Sequence, residues 1–214
     1  MSFAPYDQLA GSLLPRIQLT TDGAHDLAHL QRVWSNVCAI RAEEGGDGEI
    51  LAAATLLHDC VAVAKDSPQR AEASRLAAER GSELLRGIGW PDDRIGIAAH
   101  AIEAHSFSAG IPPRSLEACI LQDADRLDAI GAVGIARCFY IAGRMGSALY
   151  DPADPAAQTR AYDDRRFAID HFHTKLFGLA SGFRTRCGTR LAAERHVRLQ
   201  RFLGDFMSEI GATA

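Results

Sequence analysis

The sequence lacks the features that mark secreted, disulfide-bonded or membrane proteins. Its five cysteines are an odd number with no Cys-x-x-Cys spacing, which is typical of buried thiols in a reducing compartment and excludes a disulfide framework. No basic N-terminal segment precedes an unbroken apolar run. The most apolar stretch, residues 51–64, is too short to span a bilayer. These absences favour a cytoplasmic protein with no membrane contact.

Basic residues are also not in excess. The chain has 23 Lys and Arg against 27 Asp and Glu, a net charge of -4, which argues against general nucleic-acid binding but leaves single phosphates as ligands. Alternating β-type patterns are nearly absent, whereas alanine and other helix formers are abundant. The 214 residues are therefore predicted to form one compact all-α domain with an ample core.

Helical periodicity and capping residues divide the chain into predicted helices. Gly and Pro occur mostly between these segments, and the sequence YDPADP at 150–155 is predicted to be a loop within the domain. A basic stripe on the last helix, at Arg190, Arg195, Arg198 and Arg201, is interpreted as a solvated face. The predicted helices span about 6–19, 26–44, 49–64, 67–87, 91–107, 115–140, 156–179 and 187–210.

The third of these helices contains an unexpected polar pair, His58 and Asp59, in the sequence TLLHDC. Burying an imidazole beside a carboxylate is unfavourable unless both are hydrogen-bonded or bind a metal. The pair alone leaves both interpretations open, a satisfied polar pair in the core or half of a functional site. Other polar side chains in apolar helices must decide between them.

Candidate partners lie on the helices before and after the pair. His25 and His29 are four residues apart, so they share a face if the second helix has begun at His25. Asp125 and Asp128 are three apart on a later helix and can face the same way, whereas Asp123 points elsewhere. One of these aspartates is a candidate ligand, and another is a candidate partner for an arginine such as Arg126 or Arg137.

Two imidazoles and two carboxylates from three helices would form a mixed nitrogen and oxygen site. Such a donor set suits a divalent first-row ion with open positions for water, and it favours hydrolytic chemistry.

The order of these motifs resembles the HD-domain metal-dependent phosphohydrolase superfamily. The strings that carry the resemblance are HDLAHLQRV, LLHD, EAHSFSAG and QDADRLDAIGAVGIAR. They lie between about residues 24 and 137, and the remaining helices, over about 156–212, resemble the predicted bacterial hydrolase branch of that superfamily. The resemblance implies a mostly helical fold and a divalent ion, which would be Mn, Mg, Co, Ni, Fe or Zn. It also implies that the ion is bound by His29, His58, Asp59 and Asp125.

The resemblance further implies that the ion activates water for attack on phosphorus, with Asp59 orienting the water. In one branch, nucleotidases specific for deoxyribonucleoside monophosphates, a glutamate follows the doublet by three residues. This chain has Ala62 there, which weakens a monophosphate assignment. Lys65 and His105 are the candidates for contacting phosphate or donating a proton. His105 also has a simpler explanation, because a cationic histidine near the C-terminal end of a helix is favoured by the helix dipole.

Binuclear members of the superfamily have extra ligands between the doublet and the last aspartate, where this chain has His100 and His105. A second metal is therefore an open alternative. His100 is also a candidate substrate contact, together with Arg126, Arg137 and Lys175, although each cation could instead be a structural ion-pair partner.

The leading hypothesis is hydrolysis of a phosphate ester or anhydride in a nucleotide, including release of pyrophosphate from a nucleoside triphosphate. The first alternative is a phosphodiesterase acting on a cyclic or oligomeric nucleotide. The second is a non-catalytic helical module that binds nucleotides. The base, the sugar, the number of phosphates, the metal and the oligomeric state cannot be predicted from the sequence.

Overall fold

The computed structural model describes residues 2–17, 26–61 and 72–212. Across these residues the regular structure is helical, and the β-type pairing consists of one isolated bridge between Ala148 and Phe167. The prediction of an all-α fold is confirmed. The α-helices are α1 (Asp7–Leu13), α2 (Leu27–Glu44), α3 (Gly48–Leu57), α4 (Ala73–Gly87), α5 (Asp92–Ala104), α6 (Leu116–Asp128), α7 (Gly131–Met145), α8 (Phe177–Leu179) and α9 (Arg186–Glu209).

The chain divides into two compact units. The first contains Met1–Arg126 and Arg184–Gly188, and the second contains Leu127–Phe183 and Thr189–Ala214. The boundary therefore crosses the chain more than once, and a short segment far along the sequence belongs to the first unit. A single domain over 1–214 stays a prediction.

Helix α3 is the central element of the first unit. It packs against α1, α2, α4 and α5, and its residues from Ile50 to Leu57 are all buried. Each fully buried leucine, such as Leu51 or Leu56 at 0% exposure, contributes about 1.5–3 kcal/mol through burial of its side chain. The apolar segment that the sequence marks as central does occupy the core.

The starts of α2 and α3 are determined by aspartate caps. Asp26 accepts a hydrogen bond from the His29 backbone N–H, and Asp47 accepts from Glu49 N and Ile50 N. These bonds satisfy backbone donors that have no partner within the helix. The predicted beginning of the second helix at Asp26 is confirmed, and the third helix ends at Leu57 rather than near residue 64, with His58 as its C-cap.

The predicted ends of the first, fourth and fifth helices agree with the structure to different extents. Helix α1 ends at Leu13 and continues as a 3-10 turn, Leu14–Arg16, because Pro15 cannot donate the backbone hydrogen bond that an α-helix requires. The fourth helix ends at Gly87 as predicted, whereas its predicted start at 67–68 lies outside the described residues. The fifth, α5, begins just after Pro91 as predicted and ends at Ala104.

The prediction of one helix over 115–140 is wrong. Two helices, α6 and α7, lie in this range. The helix is interrupted before Gly131, whose φ of +73° is in the left-handed region that glycine adopts readily. The apolar period continues on both sides of Gly131, which is why the pattern alone predicts a continuous helix.

The predicted helix over 156–179 is also wrong for most of its length. Side chains replace helical hydrogen bonds there: Asp154 accepts from the Gln158 and Thr159 backbone N–H groups, and Asp163 accepts from those of Arg165 and Arg166. Such local side-chain bonds compete with helix formation. Regular structure begins only with a π-helical turn, Phe172–Leu176, followed by the short α8.

Buried Asp170 holds this irregular segment together. Its carboxylate accepts two hydrogen bonds from the Arg160 guanidinium, at 2.5 and 3.1 Å, and one from the Asp163 backbone N–H at 2.7 Å. Asp170 is 1% exposed, so these bonds compensate for the loss of its hydration.

The last predicted helix is confirmed as α9. Its exposed Arg190 forms an i,i+4 ion pair with Glu194, as expected of a solvated face. Arg195 departs from that prediction, because it is partly buried and donates a hydrogen bond to the Leu127 carbonyl. Within residues 2–17, 26–61 and 72–212, no helix has both the length and the apolar character needed to cross a membrane.

Candidate metal centre

His58 lies where α3 ends and is 1% exposed. Its Nδ1 lies 2.8 Å from the carbonyl oxygen of Thr55. Because a carbonyl only accepts, Nδ1 carries the proton, and the bond satisfies a carbonyl in the last turn of the helix. The ring is therefore oriented by its own helix, with Nε2 left to face other groups.

His105 repeats this arrangement at the end of α5. It is the C-cap of that helix, and its Nδ1 donates to the Ile102 carbonyl at 2.6 Å. Its Nε2 lies 3.7 Å from Asp59 Oδ1, and its ring centroid lies 4.9 Å from that of His58. In both helices, a hydrogen bond from the ring Nδ1 to the backbone carbonyl three residues earlier orients the imidazole and leaves Nε2 facing the site.

His29 and Asp125 reach His58 from α2 and α6. The Asp26 cap holds the backbone of His29 in the first turn of α2, and the His29 side chain is 1% exposed. The Nε2 atoms of His29 and His58 are 3.2 Å apart. Asp125 Oδ1 lies 3.5 Å from His29 Nε2 and 3.8 Å from His58 Nε2. Residues far apart in the sequence therefore meet at one point.

Asp59 is the most exposed of these side chains, at 36%. Its Oδ2 lies 3.6 Å from His58 Nε2 and 3.8 Å from His29 Nε2. Its other oxygen, Oδ1, faces His105. Asp59 consequently has one oxygen toward the paired histidines and one toward a third histidine.

The side chains form two overlapping groups of possible metal donors that share His58. One group is His29, His58 and Asp125, and the other is His58, Asp59 and His105; within each group the donor atoms lie within 4.8 Å of one another. Donors about 2.1 Å from a common ion are about 3.0–3.4 Å apart in tetrahedral or octahedral geometry. The measured separations of 3.2–3.8 Å are close to that range, so the residues fit a divalent ion.

The protonation of His58 also suits a cation. Burial lowers the pKa of His58, with Asp59 acting in the opposite direction, so the neutral ring is favoured. With the proton on Nδ1, its Nε2 carries a lone pair that points toward another ring nitrogen at 3.2 Å. Both nitrogen atoms could instead bind one cation, which would replace this hydrogen-bond contact.

Two buried amides connect the helices that carry these donors. Asn36 on α2 donates to the Ala124 carbonyl at 2.9 Å, next to Asp125. Gln122 on α6 donates to the Ala104 carbonyl at 2.7 Å, next to His105. Buried hydrogen bonds from side-chain amides hold neighbouring backbone segments in a defined register.

The remaining predicted residues of the first unit lie outside both donor groups. Arg126 is 3% exposed, and burial lowers its pKa. The guanidinium carbon is 3.9 Å from the centroid of the Phe107 ring. His100 Nε2 accepts a hydrogen bond from the Arg114 backbone N–H at 2.9 Å, so its ring has a structural contact. Lys65 lies outside the described residues.

Arg137 and Lys175 belong to the second unit. Arg137 donates to Asp128 Oδ2 at 2.8 Å, which matches the expectation that one aspartate of the DADRLD segment pairs with an arginine. Lys175 is exposed on the π-helical turn, and its charge lowers the pKa of Asp164, after larger effects from His171 and Thr174.

Sequence reasoning missed the groups that orient the candidate ligands. Asn36 and Gln122 give no chemical signal of their own, because amide side chains are common in helices. A usable signal is that Asn36 follows His29 by seven residues, which places both on one helix face. The carbonyl acceptors of His58 and His105 are backbone atoms, and no residue pattern identifies them.

Comparison with known proteins gives the same family in sequence and structure. The family model described as HD domain matches residues 26–130. A Bacillus subtilis protein described as uncharacterized protein YpgQ is 34% identical over 190 residues, which cover 87% of this chain and 84% of that protein.

Solved structures are similar over most of the chain. An HD-superfamily hydrolase from Bacillus thuringiensis is 31% identical with a TM-score of 0.68, over 88% of each chain. A structure of Bacillus subtilis YpgQ in complex with ADP is 31% identical with a TM-score of 0.67, over 87% of this chain and 90% of that one.

Proposed function

The chain belongs to the HD-domain hydrolase superfamily, and from this premise we propose that it is a divalent-metal-dependent phosphohydrolase that acts on a nucleotide. The observation that carries the proposal is the convergence of His29, His58 and Asp125, with Asp59 within 3.8 Å of both imidazoles. The ADP complex of YpgQ supports a nucleotide as the ligand. Release of pyrophosphate from a nucleoside triphosphate is the specific reaction that we propose.

His29, His58, Asp59 and Asp125 would hold the ion. A bound divalent ion would lower the pKa of water and screen the negative charge of phosphate. Asp59 Oδ2 faces the paired imidazoles, and Oδ1 faces His105. In this proposal Oδ1 also accepts a hydrogen bond from the attacking water. This carboxylate would thereby orient the water toward phosphorus.

His105 is the proposed proton donor. Its Nε2 lies 3.7 Å from Asp59 Oδ1. The bond from Nδ1 to the Ile102 carbonyl keeps the ring in this orientation. A proton held at Nε2 could be donated to the leaving oxygen, which general acid catalysis requires.

The second donor group favours one alternative reaction. His58, Asp59 and His105 form a further possible metal group, and two ions would suit a phosphodiesterase acting on a cyclic or oligomeric nucleotide. Metal content distinguishes the two proposals: about one ion per chain favours the pyrophosphohydrolase, and about two favour the diesterase.

The test is a substrate screen with identified products. Nucleoside mono-, di- and triphosphates and diesters are each incubated with Mn²⁺, Mg²⁺, Co²⁺, Ni²⁺ or Zn²⁺. Changing His58→Ala or Asp125→Ala should reduce hydrolysis by at least about 10³-fold, because each removes a ligand of the ion. Changing exposed Asp92→Ala, which removes a surface pair with Arg86, is the matched control and should have full activity. Full activity in the His58 variant would refute the proposal, and stoichiometric nucleotide binding without turnover would indicate a binding module.

A further inference from the structure

The Arg126 guanidinium lies over one face of the Phe107 ring. Arg126 is 3% exposed as a residue, and its guanidinium carbon is 3.9 Å from the ring centroid. A cation over an aromatic face is attracted by the ring quadrupole, more strongly where water is excluded. One face of Phe107 is therefore occupied, and the ring is held in place.

Phe107 is nevertheless 45% exposed. Among the described residues of the first unit, the exposed large apolar side chains are Leu27, Ile97, Phe107 and Leu116, and Phe107 alone of these is aromatic. Single exposed apolar residues are common and need no explanation. Phe107 differs from a single exposed apolar residue, because a buried arginine packs against its ring and holds it at the surface.

Phe107 and Arg126 are both near candidate metal ligands along the chain. Phe107 follows His105 by two residues, so their Cα atoms are at most about 7.6 Å apart. Its support, Arg126, directly follows Asp125 on α6. The elements that present His105 and Asp125 therefore also present the ring and the guanidinium beneath it.

We propose that Phe107 is the surface on which the base of the nucleotide substrate stacks. This inference rests on the proposed function, and it assigns base recognition to a residue outside the metal ligands. Aromatic stacking binds any base, because every base has a π-face. Since the ring is already held by Arg126, stacking requires little reorganisation of the protein. The geometry predicts a preference for nucleotides over phosphate chains that lack a base.

The test compares a nucleoside triphosphate with inorganic tripolyphosphate, which has no base. Phe107→Ala should raise the KM for the nucleotide by about 5- to 150-fold, the range expected for loss of one stacked base. The kcat for the nucleotide and both constants for tripolyphosphate should change by less than about 3-fold. Phe107→Trp should restore the nucleotide KM. Leu116→Ala, which removes another exposed apolar side chain of the same unit, is the matched control.

Equilibrium binding of ADP to the metal-free protein, measured by calorimetry, provides a readout that does not depend on turnover. Phe107→Ala should weaken this binding by a similar factor, and Phe107→Trp should restore it. Equal losses on nucleotide and tripolyphosphate would overturn the inference alone, because they would indicate that Phe107 only shields Arg126. A wild-type protein that neither binds nor hydrolyses nucleotides would overturn the proposed function and this inference together.

Discussion

The DADRLD segment contains three aspartates that should respond very differently to removal. Asp123 and Asp128 are at most 1% exposed, whereas the Asp125 side chain is 27% exposed. Each is changed to alanine in turn, and unfolding is followed in urea with a chelator present. If the structural roles are correct, the two buried aspartates stabilise the fold and Asp125 does not.

Asp123 should have the largest effect on stability. Its carboxylate accepts from the backbone N–H groups of Arg184 and Thr185 at 2.9 and 2.8 Å, and from the Thr185 hydroxyl at 2.7 Å. Each buried donor left unsatisfied costs about 1–3 kcal/mol. Burial also raises the pKa of Asp123, so removal of the buried charge offsets part of this cost. We expect a net loss of about 2–4 kcal/mol for Asp123→Ala.

Asp128→Ala should cost slightly less. It leaves the Arg137 guanidinium, 19% exposed, without its carboxylate partner at 2.8 Å. Breaking a fully buried pair costs about 3–5 kcal/mol, and the partial exposure of Arg137 lowers this to about 2–3 kcal/mol. Asp125 lies 3.5 and 3.8 Å from two imidazole nitrogens, which is beyond hydrogen-bond length. Without metal, Asp125→Ala should therefore change stability by less than about 1 kcal/mol.

Addition of Co²⁺ should affect Asp125→Ala differently from the other variants. A ligand present at 100 times its Kd stabilises the folded state by about 2.7 kcal/mol, or about 5–11 °C in Tm for a chain of this size. The wild type and the two buried-aspartate variants should show this gain, and Asp125→Ala should lose most of it. The reasoning is refuted if metal-free Asp125→Ala is as unstable as Asp123→Ala, or if it retains the full gain with Co²⁺.

Two further predictions concern other parts of the chain. Arg160→Met leaves buried Asp170 without its bidentate partner and should lower the free energy of unfolding by about 2–4 kcal/mol. Arg190→Met, which removes one member of an exposed ion pair, should lower it by less than about 0.5 kcal/mol. Urea titration measures both losses, and equal losses would contradict the structural role of Arg160. Burial raises the pKa of the Cys60 thiol to about 11, so Cys60 should resist alkylation at pH 8, whereas exposed Cys38 should react. Peptide mass analysis identifies the modified cysteine. Rapid modification of Cys60 in the folded protein would contradict this prediction.

The helices that could be predicted from the sequence are those whose ends have a chemical marker. Asp26 caps α2, and Pro91 precedes α5, and both boundaries are as expected. The break at Gly131 could not be predicted, because glycine within an apolar period is compatible with a helix and only the tertiary structure selects the positive φ. The segment from 156 to 171 was misread because aspartate side chains there bind backbone N–H groups that a helix would have used.

The chemical types in the candidate site could be predicted, but their geometry could not. Helix periodicity and motif order brought together His29, His58, Asp59 and Asp125 as candidates. The participation of His105 depends on the bond from its ring to a backbone carbonyl at the end of α5, and backbone acceptors leave no trace in the residue pattern. Whether these residues bind a metal in solution stays a prediction.

The contacts of Asp123 have a consequence for how the protein can be divided. Its hydrogen-bond donors lie in Arg184–Gly188, a segment of the first unit that the matched range 26–130 omits. Gly188 approaches so closely that a Cβ there would meet the Asp123 carboxylate. A fragment cut at residue 130 would therefore expose a formerly sealed carboxylate and lose the start of α9. The matched range 26–130 is thus not sufficient to form the first unit, and any shortened version must include residues 184–188 to remain intact.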